Sequence, residues 1–335
     1  MNSKLALAVF SVLVTGLAFV LLTGWPEAIA PDMQGRISRG FLFMVSASSL
    51  FLVAAFFTLE YLRPARPSER GFSPSIVFDA FYLFLQLPVV AVLILLISGP
   101  IQRFLEAHAA GLTLDIGRDL PTPIVLLLGA AITDLTLWFS HVVRHKVPFL
   151  WRFHMIHHSQ TRLSLFTASR DHPLDTFFET LIRVVPLFFL FPSVVENAEA
   201  LAIYGLVVSW HIRFTHTNIA TNLGALRWIL VTPQSHRIHH STEPQHWNSN
   251  YANIFCWDRL FGMQHADDTS YPPTGVNDVA FPEPQRLSLA EFGRCYVSQL
   301  WFPFDTAAVH RATHGSPHGL PAAEFGDHHS SERQE

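Results

Sequence analysis

The chain has 335 residues, room for one large domain or two ordinary ones, and its formal charge of -4 gives no basic footprint for nucleic acid. Half of the residues are apolar and 14% are charged, well under the roughly 25% of an ordinary soluble domain, which points to a membrane protein. Two cysteines, Cys256 and Cys295, cannot build a disulfide framework.

Leu5 to Pro26 is uncharged and about as long as the ~20 residues an apolar helix needs to cross a bilayer. Lys4 and Ala28-Ile29-Ala30 give it the flanks of a signal peptide, yet the run exceeds the usual ~7 to 15 residues of a signal core, so a retained span is favoured. Phe41 to Leu59 is a second block, closed by the charged, proline-containing segment Glu60 to Arg66. Ala80 to Ser98 is a third, with Pro88 as a kink.

Pro123 to Ser140 is a fourth block and carries Asp134. A carboxylate at the bilayer centre costs about 2.5 to 3.5 kcal/mol on insertion scales, so it should have a partner. Two readings stand: Asp134, seven residues before His141, orients a ligand imidazole, or it makes a structural bond to a neighbouring helix. Lys4, the group Arg63, Arg66 and Arg70, and the group Arg144, Lys146 and Arg152 fall on one side of these spans, against Arg36, Arg39, Arg103 and Arg118 on the other. This modest bias makes the histidine side cytosolic.

Val184 to Val195 and Ala198 to Trp210 are short apolar blocks with Pro186 and Pro192 as breakers. They read as a hairpin entering the bilayer partway or as two kinked spans, and either way bring His211 and His216 back to the side the chain left. Thr232 and Pro233 supply an N-cap and first helical residue, starting a helix that carries its histidines within three turns. The stretches Asn248 to Tyr251 and Trp257 to Gly262 are expected to close over the histidines. Ser288 and Glu291 form a capping-box pattern before an amphipathic helix running to Phe302, and from Thr306 the composition is that of a disordered tail. The expected organisation is therefore 1–122 for N-terminal spans and loops, 123–265 for the catalytic unit, 266–305 for a cap segment and 306–335 for the tail.

Three motifs carry the chemistry: HxxxH at His141 and His145, HxxHH at His154, His157 and His158, and a second HxxHH at His236, His239 and His240. Helical positions three and four apart are neighbours, about 5 to 6 Å between Cβ atoms, so each triplet reads as pointing three imidazoles one way. Eight histidines exceed the four ligands of a zinc site, which makes two metals the economical count. The lack of carboxylates within the motifs argues against magnesium and calcium. A chain merely rich in histidine, 19 in all, accounts for the unpatterned His310, His314, His318, His328 and His329, but not for two identical triplets.

The ordered set between hydrophobic blocks resembles the bacterial branch of the fatty acid hydroxylase and sterol desaturase superfamily of membrane di-iron enzymes. Further matching segments are Val147 to His154, Arg170 to Leu174, Phe214 to Asn218, Val231 to Ser241, Asn250-Tyr251 and Trp257 to Gly262, so the likeness covers roughly Thr133 to Met263. The resemblance implies metal ligation by His141, His145, His154, His157, His158, His236, His239 and His240, with His216 as a further ligand. His172, His211 and Asp134 are additional candidates, as ligands or behind them. Asp175 stands where glutamate is expected and Ala252 where glycine is common; neither is expected to touch the ligands, so both bear on substrate fit.

The implied fold is an all-α integral membrane protein with about four transmembrane helices plus a helical hairpin, and a cytosolic helical cap carrying a histidine-rich di-metal site. The implied cofactors are two iron ions, replaceable by zinc during purification, with O2 as co-substrate. The implied reaction is hydroxylation or desaturation of a lipid drawn from the bilayer of the inner membrane, such as a sterol or fatty acyl chain. No flavin or nicotinamide glycine fingerprint is present, so electrons are expected from a separate reductase or ferredoxin-like carrier. The alternatives are a zinc-dependent membrane hydrolase, which lacks the usual HExxH here, a metal transporter, and a non-catalytic metal-binding membrane protein. Oligomeric state is not legible.

Overall fold

Proline sets the central joint of the fold. Val147, ahead of Pro148, is extended (φ -96°, ψ 114°), as a residue before proline prefers to be, so one helix stops and the next starts without an intervening loop. In the computed structural model, which describes residues 47–83, 100–101, 103–114, 116, 119–190, 198–267, 269–276 and 281–314, these two helices are the third and fourth of the elements used below. They follow α1 (Ala47–Leu62) and α2 (Pro74–Phe81) and are α3 (Thr122–Lys146) and α4 (Pro148–His158). Then come α5 (Pro173–Leu190), α6 (Ala198–Thr215), α7 (Pro233–His239), α8 (Trp257–Leu260), α9 (Leu289–Trp301) and α10 (Thr306–His314). Among the described residues no strand forms, only the isolated bridges Pro64–Ile219, Leu230–Phe255 and Ser241–Thr274.

Within Pro123–Lys146 lies the one described helix long and apolar enough to cross a membrane. α1 is apolar but shorter, while the block Leu5 to Pro26 and most of Ala80 to Ser98 lie outside the described residues. The helical class therefore holds, and four spans do not emerge from the described residues. The two arms of the expected hairpin are α5 and α6, with 191–197 outside the described residues. Pro186 does not break α5 but sits inside it. Its missing N–H removes one helix bond, and packing of α5 along α3 carries the helix through.

α7 begins as its sequence suggests. Thr232 Oγ1 accepts from Ser235 N at 3.0 Å and Ser235 Oγ accepts from Thr232 N at 3.0 Å, a reciprocal capping box. The helix is shorter than expected, ending at His239 with His240 as its cap. Thr232→Ala should lower stability by about 1 kcal/mol, the usual worth of such a cap, measured as a shift in the thermal unfolding of the detergent-solubilised protein.

The C-terminal end departs from its expectation twice. Ser288 makes no cap bond through its side chain, and the Glu291 carboxylate, which a capping box would turn to Ser288 N, accepts instead from Gln285 N (2.6 Å) and Arg286 N (3.3 Å). The chain from Thr306 is not a disordered tail over its first nine residues: α10 buries Ala308, Val309 and Ala312 against Trp151, Met155 and Ile156 of α4, with Phe281 and Phe302. Three small apolar residues at i, i+1 and i+4 make one helical face. That cluster covers one side of α4 and leaves the histidines on the other; residues 315–335 lie outside the described set.

Candidate metal centre

The eight histidines of the three motifs, together with His216, assemble into two buried sets. His141, His145, His154, His158 and His239 form one, His157, His216, His236 and His240 the other, with the candidate ligand atoms of each set within 4.8 Å of one another. The triplets do not point three imidazoles one way. At 100° per residue, positions i and i+4 differ by 40° around the helix, whereas i+3 and i+4 diverge by 100°. Each i, i+4 pair therefore stays together, and the i+3 member goes to the other set. His154 and His158 sit with the His141–His145 pair while His157 joins the second set; His236 and His240 form the core of the second while His239 crosses to the first.

The ring orientations follow from what Nδ1 meets. His141 Nδ1 donates to the Tyr251 carbonyl at 2.6 Å, His239 Nδ1 to the Ser249 carbonyl at 2.9 Å and His216 Nδ1 to the Ile212 carbonyl at 2.7 Å. In the neutral ring the proton on Nδ1 leaves Nε2 as a lone pair, and these Nε2 atoms face inward. His141 Nε2 and His239 Nε2 lie 3.1 Å apart, lone pair against lone pair. His216 Nε2 is 3.1 Å from His157 Nε2 and 3.0 Å from His236 Nε2, and His154 Nε2 is buried with no hydrogen-bond partner. Inward lone pairs with protons anchored outside are the donor set a borderline divalent transition metal satisfies, and a metal fits both sets.

Charge supports the same chemistry. Burial holds six of the imidazoles neutral, taking His216 down to about 4 and His239 to about 3, and lowering His154, His157, His236 and His240 as well. Neutral imidazole is the ligating form, so no proton has to leave at pH 7 before a metal binds.

Asp175 does touch the candidate ligands, contrary to expectation. Its Oδ2 accepts from His154 Nδ1 at 2.9 Å and from Arg144 Nη1 at 2.7 Å, and Arg144 Nη2 pairs with Glu179 at 3.0 Å. Asp171 Oδ1 stands 3.5 Å from His157 Nδ1. Each set thus has one carboxylate behind it, just past the first triplet in sequence. Asp134, read either as orienting a ligand imidazole or as bonding a neighbouring helix, accepts from Phe255 N (3.0 Å) and from Trp257 Nε1 (2.9 Å) at the start of α8. Asp134→Asn should therefore leave the metal content of the purified protein unchanged, which metal analysis checks.

His172 and His211 lie outside both sets. His172 binds the Leu300 carbonyl through Nε2 at 3.1 Å and accepts from Leu174 N at Nδ1 at 3.0 Å, and His211 Nε2 meets the Val231 carbonyl at 3.1 Å. The segment 248–251 does close over the histidines, as expected. Asn248 and Asn250 take left-handed backbone (φ 60° and 59°), which asparagine tolerates better than most residues; this aims the Ser249 and Tyr251 carbonyls at His239 and His141. The turn 257–262 acts one step further out: Asp258 accepts from Trp138 Nε1 (3.0 Å) and Ala252 N (2.6 Å), and Phe261 stacks on Trp138.

Residues 126–263 match the family model described as fatty acid hydroxylase. The chain is 34% identical over 149 residues to ornithine lipid hydroxylase OlsE of Rhizobium tropici, covering 43% of each chain. It is 38% identical over 137 residues to alkylglycerol monooxygenase of Xenopus tropicalis, covering 38% of this chain and 28% of that one. A more distant relative, the putative Delta(7)-sterol-C5(6)-desaturase 2 of Arabidopsis thaliana, is 25% identical over 144 residues, 42% of this chain and 47% of that one. The matches span less than half the length of these relatives, and no solved structure matches the chain. The matched segment contains every histidine of both sets, so the resemblance read from the histidine motifs holds over that segment.

Proposed function

We propose, taking the fatty acid hydroxylase match of residues 126–263 as premise, that the protein is a membrane-bound di-iron oxidoreductase that uses O2 and external electrons to hydroxylate or desaturate a lipid. The observation that carries this reading is the sorting of nine buried histidines into a five-imidazole and a four-imidazole set. His141, His145, His154, His158 and His239 would hold one iron, and His157, His216, His236 and His240 the other. Bound there, a pair of irons supplies oxygen activation of the strength needed to oxidise an unactivated C–H bond. The protein's own part is positional: the carbonyls of Ile212, Ser249 and Tyr251 and the carboxylate of Asp175 fix the rings, and burial keeps bulk water away.

The relatives' names, a lipid hydroxylase, an alkylglycerol monooxygenase and a sterol desaturase, support a lipid substrate entering from the bilayer. A separate reductase or ferredoxin-like carrier delivers the electrons. The basic residues at the end of α3, Arg144 and Lys146, support a cytosolic side for the histidine sets in a multi-pass protein of the inner membrane.

The test is metal analysis of protein extracted anaerobically from iron-replete cells, followed by oxygen uptake with lipid and an added electron donor. About two irons per chain, one per histidine set, with lipid-dependent oxygen consumption that stops without the donor, is the expected result. Zinc alone, with neither iron uptake nor oxygen consumption on reconstitution, overturns the reading in favour of the zinc hydrolase.

A further inference from the structure

Two segments outside the histidine sets, 224–230 and 255–261, form one apolar ridge. Leu226, Trp228, Ile229, Leu260 and Phe261 are between 48 and 72% exposed along it. The ridge is built rather than frayed. Val231 N bonds to the Ile254 carbonyl at 2.7 Å, Cys256 N to the Ile229 carbonyl at 2.9 Å and Arg259 Nη2 to the Arg227 carbonyl at 3.3 Å, around the Leu230–Phe255 bridge. A contiguous exposed apolar surface of this kind marks an interaction site rather than ordinary surface.

Its charge is of one sign. Arg259 lies 4.3 Å above the Trp228 ring and Arg227 5.8 Å from it. The acid in these segments, Asp258, is 1% exposed and turned inward to Trp138 and Ala252. Exposed tryptophan and aliphatic side chains edged by arginine are the composition of a membrane–water boundary, where the ring sits at headgroup level and the guanidinium reaches outward.

The attachment point fixes the depth. Phe261 stacks on Trp138 at 4.4 Å, and Phe255 N and Trp257 Nε1 bond to Asp134. At 1.5 Å per residue, Trp138 and Asp134 lie about 12 and 18 Å before Lys146 along α3. The ridge therefore grips the flank of the helix able to span, not the region beyond its end.

We propose that segments 224–230 and 255–261 form a wedge seated in the boundary of an anionic phospholipid bilayer, with Trp228, Ile229, Leu226, Leu260 and Phe261 among the upper acyl chains and Arg227 and Arg259 on lipid phosphates. This rests on the membrane placement proposed above. It brings His141, three residues beyond Trp138, to the bilayer boundary, so that a lipid carbon reaches the histidine sets without leaving the membrane.

The test uses the full-length protein and its Trp228→Phe variant in nanodiscs of phosphatidylcholine and phosphatidylglycerol brominated near the headgroup. The parent-minus-variant tryptophan emission reports Trp228. The expected result is quenching by brominated lipid, little effect of aqueous iodide, and deeper quenching as the phosphatidylglycerol fraction rises, the last lost in Arg227→Gln/Arg259→Gln. Quenching by iodide, which would leave the ridge to a protein partner, or protection from both quenchers, which would place it under another part of the chain, overturns the wedge. Iron content separates this from the functional reading: a water-facing Trp228 with two irons bound overturns the wedge alone, and a lipid-quenched Trp228 with no iron overturns the oxidation chemistry alone.

Discussion

On the proposed di-iron reading, His216→Ala is expected to lower bound iron from about two per chain to about one and to abolish lipid oxidation. Loss of an outer hydrogen-bond partner costs a metal site roughly 10–100-fold in affinity, and loss of a ligand costs more. His216 belongs to the smaller set, where three imidazoles would remain, and its Nε2 lies within 3.1 Å of both His157 and His236. The same result is expected for His157→Ala, although His157 lies in the middle of a motif whose other two members serve the five-histidine set. His172→Ala and His211→Ala keep both irons, since those rings are spent on backbone groups. Iron analysis with Mössbauer spectra, which resolve two inequivalent irons, reads all four variants. Full iron occupancy in His216→Ala would remove that residue from the ligand set, and equal loss of both irons would mean that the sets bind metal as one unit.

How much of this was legible in sequence depends on which part of each residue does the work. Side chains that recur at helical spacing were legible: all eight motif histidines converge, and His216, implied only by the family resemblance, joins them. Their partition was not, because spacing of three and spacing of four both read as one face until a target is present to separate them by angle. Ser249 and Tyr251 act through backbone carbonyls, and no side-chain pattern announces a carbonyl. Asp134 and Asp175 show the same limit from the other direction. Helical register allowed Asp134 as the partner of a ligand no less than as a structural bond, and Phe255 N and Trp257 take its carboxylate, while Asp175 reaches His154 from the first turn of another helix. α10 could have been found, since Ala308, Val309 and Ala312 sit at helical spacing; low hydrophobicity and the histidine-rich tail beyond masked it.

Arg144→Met should be the most destabilising single change away from the histidines, by about 3 to 5 kcal/mol, the usual cost of removing one partner from a buried ion pair. Arg144 is buried on α3 with Asp175 on one side and Glu179 on the other, both from α5. Methionine fills much of the volume but leaves Asp175 without a cation and Glu179 with Arg183 alone, and the packing of α5 on α3, which carries the first histidine pair, would loosen. Adding Asp175→Asn and Glu179→Gln removes the stranded charges, so the triple variant should recover most of that loss when apoprotein is unfolded by denaturant in detergent. Iron should behave differently. His154 loses its carboxylate acceptor in the triple variant, so affinity at the five-histidine set should fall roughly 10–100-fold while the four-histidine set is spared. Recovery of stability without recovery of that iron would show that Arg144 acts on the fold through charge and on the metal site through Asp175. Failure of the triple variant to regain stability would mean that Arg144 holds α3 to α5 by packing of its aliphatic stem.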